Sequence, residues 1–227
     1  MTELEWEECD DPARMLNALR GIELDRKLRL AAVAAVRQEV VAHGGELAHW
    51  ALEFAESAAE GDVNRFTLEV ARERVSSWSL PLPSDSASIV VARAAGLCLG
   101  TSAQNALVAI TAAMPHLEVF LRKCVTDGED DLANARVRCK ARMAAYLREV
   151  VGNPFRSVGI QRGWRTGTAT TLARQMYDSR EFSAMPILAD ALQDAGCENA
   201  ELLNHCRDPH ATHVRGCWVC DLVLGKA

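Results

Sequence analysis

The segment IELDRKLRLAAVAAVRQEVVA, residues 22–42, decides the fold class. Its apolar residues recur three and four positions apart, which is the spacing of one helix face. Gly44 and Gly45 follow, and glycine is a common helix stop. The segment therefore predicts an amphipathic helix with its apolar face at Leu24, Leu28, Ala31, Ala32, Ala35 and Val36.

Patterns of the same period cover most of the chain. Asp10 or Asp11 before Pro12 is expected to begin a short helix that ends near Arg20, because a carboxylate caps free N–H groups and proline suits a first turn. Runs of alternating β-branched and aromatic residues, which strands require, are missing. The sequence thus predicts an all-α protein, with further helices at about 46–60, after Gly61-Asp62 to near Ser77, and at 89–114, 170–177, 184–195, 198–206 and 214–224. Residues 116–151 are also expected to be helical, with a break at Thr126-Asp127-Gly128.

Two parts differ in character. Residues 1–151 are predicted to form an N-terminal helical bundle, and residues 152–227 a compact C-terminal helical module, because short segments begin at Gly152-Asn153-Pro154. Within the bundle, residues 76–88 (SSWSLPLPSDSAS) are rich in serine and proline, so a loop or subdomain boundary is expected there. Pro115 is expected only at a helix start or a kink.

Composition excludes several functions. The 227 residues are 49% hydrophobic and 5% aromatic, with a formal net charge of −6. Proteins that bind nucleic acid usually carry a basic patch, so such a partner is not expected. No apolar run approaches the length of a membrane helix, and the acidic start does not resemble a secretory signal, so a cytoplasmic protein without a membrane partner is expected. In such a compartment the eight cysteines are expected to be thiols or metal ligands.

The tail HCRDPHATHVRGCWVCDLVLGK, residues 205–226, is the one stretch that suggests a site. A CxxC spacing can present two thiolates to one zinc ion, and histidines lie nearby. The candidate metal ligands are Cys206, His213, Cys217 and either His205 or Cys220. The alternative, which the sequence favours, is a helix with Cys217 and Cys220 buried as small apolar residues. The sequence therefore predicts no cofactor, with a structural zinc ion as the alternative.

A long loop precedes the tail. NPFRSVGIQRGWRTGTATT, residues 153–171, exceeds the usual length of a connection, so it is expected to be functional or packed over the core. Trp164 is expected to be a buried anchor or, if exposed, a binding residue for a partner. Arg162 and Arg165 could bind an anion near a helix N-terminus, although simple capping of that helix by Thr168 or Thr170 is the stronger alternative.

Several segments carry a resemblance. NPFR, a following tryptophan, LARQMYD, MPILADALQDAGC, HC and HVRGCWVCDLVLGK resemble the tail of a large group of uncharacterised paralogues from planctomycete-type bacteria, and ECDDPARMLNALRG with DRKLRL resembles their head. The resemblance covers about the last 75 and the first 30 residues. In that group the tail has an apolar residue in place of Cys220. Members are sometimes labelled as related to the SUKH superfamily of immunity proteins, which implies a mixed α/β fold and an immunity-type binder.

These observations predict a non-catalytic module for protein–protein interaction or regulation, with another protein as its partner. One alternative is a cysteine-dependent or metal-dependent enzyme with its site in the tail, because a thiolate paired with an imidazole is a nucleophile. The other alternative is the immunity-type binder that the resemblance implies.

Overall fold

A computed structural model describes residues 1–79, 87–126 and 131–226. Within these ranges the chain is entirely helical and has no strand, which confirms the all-α prediction and leaves no support for a mixed α/β fold. No helix in these ranges is long and apolar enough to cross a membrane. The helices are α1 (Glu3–Glu8), α2 (Pro12–Ala18), α3 (Asp25–His43), α4 (Glu46–Ala59), α5 (Arg65–Ser79), α6 (Ala87–Leu97), α7 (Ala103–Thr126), α8 (Leu132–Val151), α9 (Gly167–Ser179), α10 (Met185–Asp194), α11 (Ala200–Arg207) and α12 (Trp218–Leu224).

The chain forms two compact units. Unit 1 comprises Glu8–Leu147 together with Met1, and unit 2 comprises Thr2–Glu7 together with Arg148–Ala227. The division therefore lies within α8, four residues before the boundary expected at 151/152. Unit 2 also takes up the N-terminal segment, which the sequence had assigned to the bundle.

Helix α3 is the centre of unit 1. It packs against α4, α6 and α7, and its residues from Leu28 to Val36 are all buried. The burial is wider than the predicted stripe, because a helix surrounded on three sides buries more than one face. The many alanines of this segment allow the neighbouring helices to approach closely.

Two buried charged residues of unit 1 have partners. Arg29, 3% exposed, donates hydrogen bonds of 2.8 Å each to the carbonyl oxygens of Cys98 and Gly100, which follow α6. Glu56, 1% exposed, accepts a hydrogen bond from Arg37. Each charge is therefore compensated where it stands, as a buried charge must be.

Unit 2 is built from short helices around an apolar core. Helices α9 and α10 pack against each other, α10 packs on α11, and α12 packs on α9 and α11. The N-terminal segment joins this unit through Trp6, which is 1% exposed and donates from Nε1 to the carbonyl oxygen of Gly152 at 3.0 Å. Asn153 donates to Glu3 at 2.8 Å, so two residues of α1 bind the turn that follows α8.

Several predicted boundaries were wrong. The stretch expected as one helix at 89–114 is two, α6 and α7, separated at residues 98–102. Pro115 lies inside α7, where a proline removes one backbone hydrogen bond. Helix α12 begins at Trp218, because Val214 and Cys217 form a turn closed by a 2.9 Å hydrogen bond. Helix α1 was not predicted.

The Ser/Pro-rich segment is shorter than expected. Residues 76–79 belong to α5, and α6 begins at Ala87, so the expected loop at 76–88 loses both of its ends to helices. Residues 80–86, which hold the rest of that prediction, lie outside the described residues. Helix α7 is described as far as Thr126, and residues 127–130, which hold most of the break expected at 126–128, lie outside the described part.

Candidate metal centre

Four side chains that can bind a metal converge inside unit 2. They are Glu149, His205, His213 and Cys217, and one ligand atom from each lies within 4.8 Å of the ligand atoms of the other three. The side chains of His205 and His213 are 16% and 8% exposed, and that of Glu149 is 5% exposed. Cys217 is fully buried. The cluster is thus shielded from water. Electrostatic interactions between its side chains are strong in such a low-dielectric environment.

The closest distances in the cluster fall in a narrow range. His205 Nε2 is 3.3 Å from Cys217 Sγ and 3.4 Å from Glu149 Oε2. His213 Nδ1 is 3.1 Å from Glu149 Oε1. The carboxylate therefore contacts both imidazoles, one through each oxygen.

Two helices and the connection between α11 and α12 supply these residues. Glu149 lies in the last turn of α8, and His205 lies in α11, whose N-terminus is capped by Asn199 accepting from the Leu202 N–H at 3.1 Å. Cys217 is the residue before α12, where Gly216 at φ +96° turns the chain in a conformation that favours glycine. His213 comes from the connection between α11 and α12.

Trp218, which is not part of the cluster, forms a hydrogen bond with His205. Its Nε1 donates to His205 Nδ1 at 3.2 Å, and the two rings lie 5.0 Å apart. The other side of the indole faces Gly152, where a Cβ atom would lie 3.1 Å from Trp218 Cγ. Gly152 also has φ +72°, so a glycine is required there for both space and conformation.

The pKa shifts in the cluster favour an ion pair between Glu149 and His213. Burial raises the pKa of Glu149, but hydrogen bonds from His205 and His213 outweigh this and lower it. Burial lowers the pKa of His213, while hydrogen bonds with Cys217 and Glu149 outweigh it and raise the pKa to about 10. Glu149 is therefore an anion and His213 a cation when no metal is bound.

His205 is different because of its indole partner. Burial lowers the pKa of His205, whereas hydrogen bonds with Cys217 and Glu149 raise it to about 9. A proton on Nδ1, however, would face the N–H of Trp218, which can only donate. We therefore assign His205 as the neutral form with its proton on Nε2. Since burial raises the pKa of Cys217 well above the usual range, the thiol stays neutral and the metal-free cluster carries no net charge.

The cluster includes three of the residues that the sequence proposed as ligands. His205, His213 and Cys217 meet in it, whereas Cys206 and Cys220 lie in the apolar core of unit 2, 1% and 0% exposed. Cys220 Sγ donates to Met185 Sδ at 3.7 Å, a contact between two core side chains. Cys206 therefore acts as a small apolar residue, and Cys220 forms a hydrogen bond with the Cys217 thiol from within the same core.

The candidate binding residues of the long loop have separate positions. Trp164 closes a single 3-10 turn at Arg162–Trp164 and is 9% exposed in the core of unit 2, which makes it a packing residue. Arg165 Nε donates to the Val223 carbonyl oxygen at 2.8 Å and so satisfies the C-terminal end of α12. Arg162 is exposed. The N-terminus of α9 is capped by Thr166, whose hydroxyl accepts from the Ala169 N–H at 3.2 Å.

Sequence analysis missed Glu149, which lies 64 residues before His213. A signal was present, because Glu149 lies three residues after Tyr146 and next to Val150, both of them buried, so it is an acidic residue on the apolar side of α8. In comparisons with family models, curated proteins and solved structures, nothing matches this chain. The function therefore has to be argued from the geometry of the site.

Proposed function

We propose that the chain is a non-catalytic module for protein–protein interaction or regulation. The observation that carries this proposal is the complete burial of Cys217 beside His205. This pair is the arrangement that a cysteine-dependent enzyme would use, and it is closed to any substrate. The polar cluster of unit 2 is best understood as a structural centre.

The chemistry of Cys217 supports the same conclusion. The nucleophile of a cysteine enzyme is the thiolate, and a reactive cysteine has a lowered pKa. Burial instead raises the pKa of Cys217 well above its usual range. A catalytic triad also needs a third group that accepts from the second ring nitrogen of the base. Here Trp218 donates to that nitrogen, and Glu149 contacts the same nitrogen as Cys217.

The 3.3 Å distance between His205 Nε2 and Cys217 Sγ favours a cysteine-dependent enzyme as the second candidate. Alkylation separates the two proposals. The native full-length chain is treated with iodoacetamide, and modified cysteines are mapped by mass spectrometry. We expect Cys217 and its equally buried control Cys220 to react only after unfolding. Rapid, selective modification of Cys217 in the folded chain would contradict the non-catalytic proposal.

Support for an interaction comes from exposed apolar side chains in unit 1. Phe66 is 75% exposed and Val70 is 50% exposed, and they lie one turn apart on the same side of α5. Aromatic side chains are common anchors at protein interfaces. Ile187, 58% exposed in α10, is an apolar control in unit 2.

The matching experiment uses the full chain as bait with chemical crosslinking and quantitative mass spectrometry. A partner released by Phe66→Glu but retained by Ile187→Glu supports the proposal, because only a specific contact distinguishes the two variants. Absence of any stoichiometric partner in the native host would contradict it. The identity of the partner separates a regulatory module from an immunity-type binder, whose partner would be a toxin.

A further inference from the structure

We propose that Glu149, His205, His213 and Cys217 bind one zinc ion that holds the short helices of unit 2 together. This site differs from the one suggested by the CxxC spacing, since Glu149 replaces Cys206 and Cys220 as a ligand. It goes beyond the proposed function, because a structural metal is compatible with any partner.

Two of the distances in the cluster are those of a tetrahedral site. Zinc binds nitrogen and oxygen at about 2.0–2.2 Å and sulfur at about 2.3 Å, so neighbouring ligand atoms of a tetrahedron lie about 3.3–3.7 Å apart. The distances from His205 Nε2 to Cys217 Sγ and Glu149 Oε2 are 3.3 and 3.4 Å. The side chains therefore already have nearly the separation that a shared zinc ion requires.

The donor set selects the metal. Magnesium and calcium prefer oxygen ligands alone, whereas one sulfur, two imidazoles and a carboxylate suit zinc. Four protein ligands are typical of structural zinc sites, because catalytic sites keep one position for water. The charges also balance, since a thiolate and a carboxylate neutralise a divalent ion and the imidazoles bind in their neutral form.

The contact with Glu149 identifies the ligand atom of His213. His213 Nε2 is buried and has no hydrogen-bond partner among the described residues, and the side chain is only 8% exposed. Its other nitrogen, Nδ1, lies 3.1 Å from Glu149 Oε1. The two ring nitrogens of a histidine point away from each other, so an ion bound at Nε2 would lie too far from Glu149 for this carboxylate to bind it as well. We therefore assign Nδ1 as the ligand atom of His213, with the ring proton on Nε2.

Zinc binding has a specific consequence for Trp218. When His205 Nε2 binds the ion, the ring proton lies on Nδ1, where it faces the indole N–H. The hydrogen bond from the indole to His205 Nδ1 must then break, and the Trp218 ring must reorient. The tautomer of His205, read from the ¹⁵N shifts of its ring, therefore reports on occupancy independently of metal content.

The test measures zinc in the untagged full chain after expression with added zinc chloride and gel filtration. We expect about one zinc per chain by elemental analysis, with iron, cobalt, nickel and copper near zero. Structural sites bind zinc tightly enough for the ion to remain bound during purification. Cys217→Ser should lose the metal. Cys220→Ser is the matched control, because it removes an equally buried thiol three residues away and should retain zinc.

A second variant tests the proposal even if Cys217→Ser does not fold. Glu149→Gln keeps the shape of the side chain and can still accept hydrogen bonds, but it removes the anionic ligand, so zinc affinity should fall at least about tenfold while helicity by circular dichroism stays unchanged. A folded wild-type chain with less than about a tenth of a zinc per chain after zinc supplementation, or with another metal in its place, would overturn the proposal. So would zinc that survives Cys217→Ser and is lost with Cys220→Ser.

Discussion

The two units stabilise their buried polar groups in opposite ways. In unit 1 each buried charge is met separately, Arg29 by two backbone carbonyls and Glu56 by Arg37, and the core between them is built of alanine and leucine. In unit 2 four titratable side chains meet at one point, and they come from α8, α11 and the connection between α11 and α12. A small unit has less apolar surface to bury, and small units commonly need additional stabilisation, such as a disulfide or a structural metal ion. Unit 1 should therefore depend less on any single polar residue than unit 2 depends on its centre.

Chelation of the proposed zinc ion should produce the largest difference in stability between the two units. Removing the proposed zinc ion with dipicolinate should destabilise unit 2 by several kcal/mol, because apparent zinc binding energies in small domains reach about 10 kcal/mol or more. Hydrogen exchange of both units, followed by mass spectrometry, should show faster exchange in α11 and α12 and no change in α3 and α4. Equal acceleration in both units would contradict the contrast between them.

Replacement of Trp164 should have the next largest effect. Trp164→Ala removes a core side chain of unit 2 and should lower the free energy of unfolding by about 3–5 kcal/mol, as measured by thermal or urea unfolding. The matched control is Phe66→Ala, since Phe66 is 75% exposed and its loss should change stability by less than about 0.5 kcal/mol. A small effect of Trp164→Ala would mean that the loop before α9 does not pack on the core.

In unit 1, Arg29→Met should have a moderate effect. The substitution fills the space with an apolar chain but leaves the carbonyls of Cys98 and Gly100 without their donor, so a loss of about 1–3 kcal/mol is expected. Arg136→Met, at an exposed position of α8, is the control and should be close to neutral. Urea unfolding of both variants measures the difference. An effect as large as that of Trp164→Ala would show that unit 1 also depends on one polar residue.

The smallest predicted effect is a pH dependence in unit 1. Burial raises the pKa of Glu118 on α7, but hydrogen bonds from Cys139 and Arg138 and the positive charges of Arg138 and Arg142 outweigh this and lower it. A carboxyl whose pKa is lower in the folded chain stabilises that chain above its unfolded pKa of 4.5, and this stabilisation is lost as the pH falls through the folded value. Wild type should therefore be more stable than Glu118→Gln at neutral pH, by less than about 1 kcal/mol because the pair with Arg138 is partly exposed. The difference should vanish in acid, and a constant difference in unfolding experiments from pH 7 to pH 3 would contradict this.

The sequence allowed the helical fold to be predicted because helix periodicity and glycine stops are local signals. Helix α12, for example, ends at Gly225 with φ +71°, as a glycine after a helix predicts. The break at residues 98–102 was not placed, although Gly100, Thr101 and Ser102 interrupt the apolar pattern there, because the turn also depends on Arg29 contacts from distant α3. Helix α1 is too short to show a period and is held by Trp6 against Gly152.

The candidate site was predictable only in part, for the same reason. His205, His213 and Cys217 lie within 13 consecutive positions, so their types and spacing suggested metal chemistry. Glu149 joins them only through tertiary packing, and no local pattern connects it to the tail. Conversely, Cys220 matched the spacing of a ligand but lies on the side of α12 that packs against Met185.

The position of Gly152 between two tryptophans also constrains when unit 2 can form during synthesis. Its carbonyl accepts from Trp6 near the start of the chain, and its α-carbon lies against Trp218 near the end. A ribosome makes Trp6 more than 140 residues before its acceptor, and α12 emerges from the exit tunnel after the other helices of the described part. Unit 1 can therefore fold on the nascent chain, whereas the Thr2–Glu7 segment stays solvated until the rest of unit 2 has been made. Nascent chains arrested before residue 205 should accordingly leave Trp6 exposed to solvent.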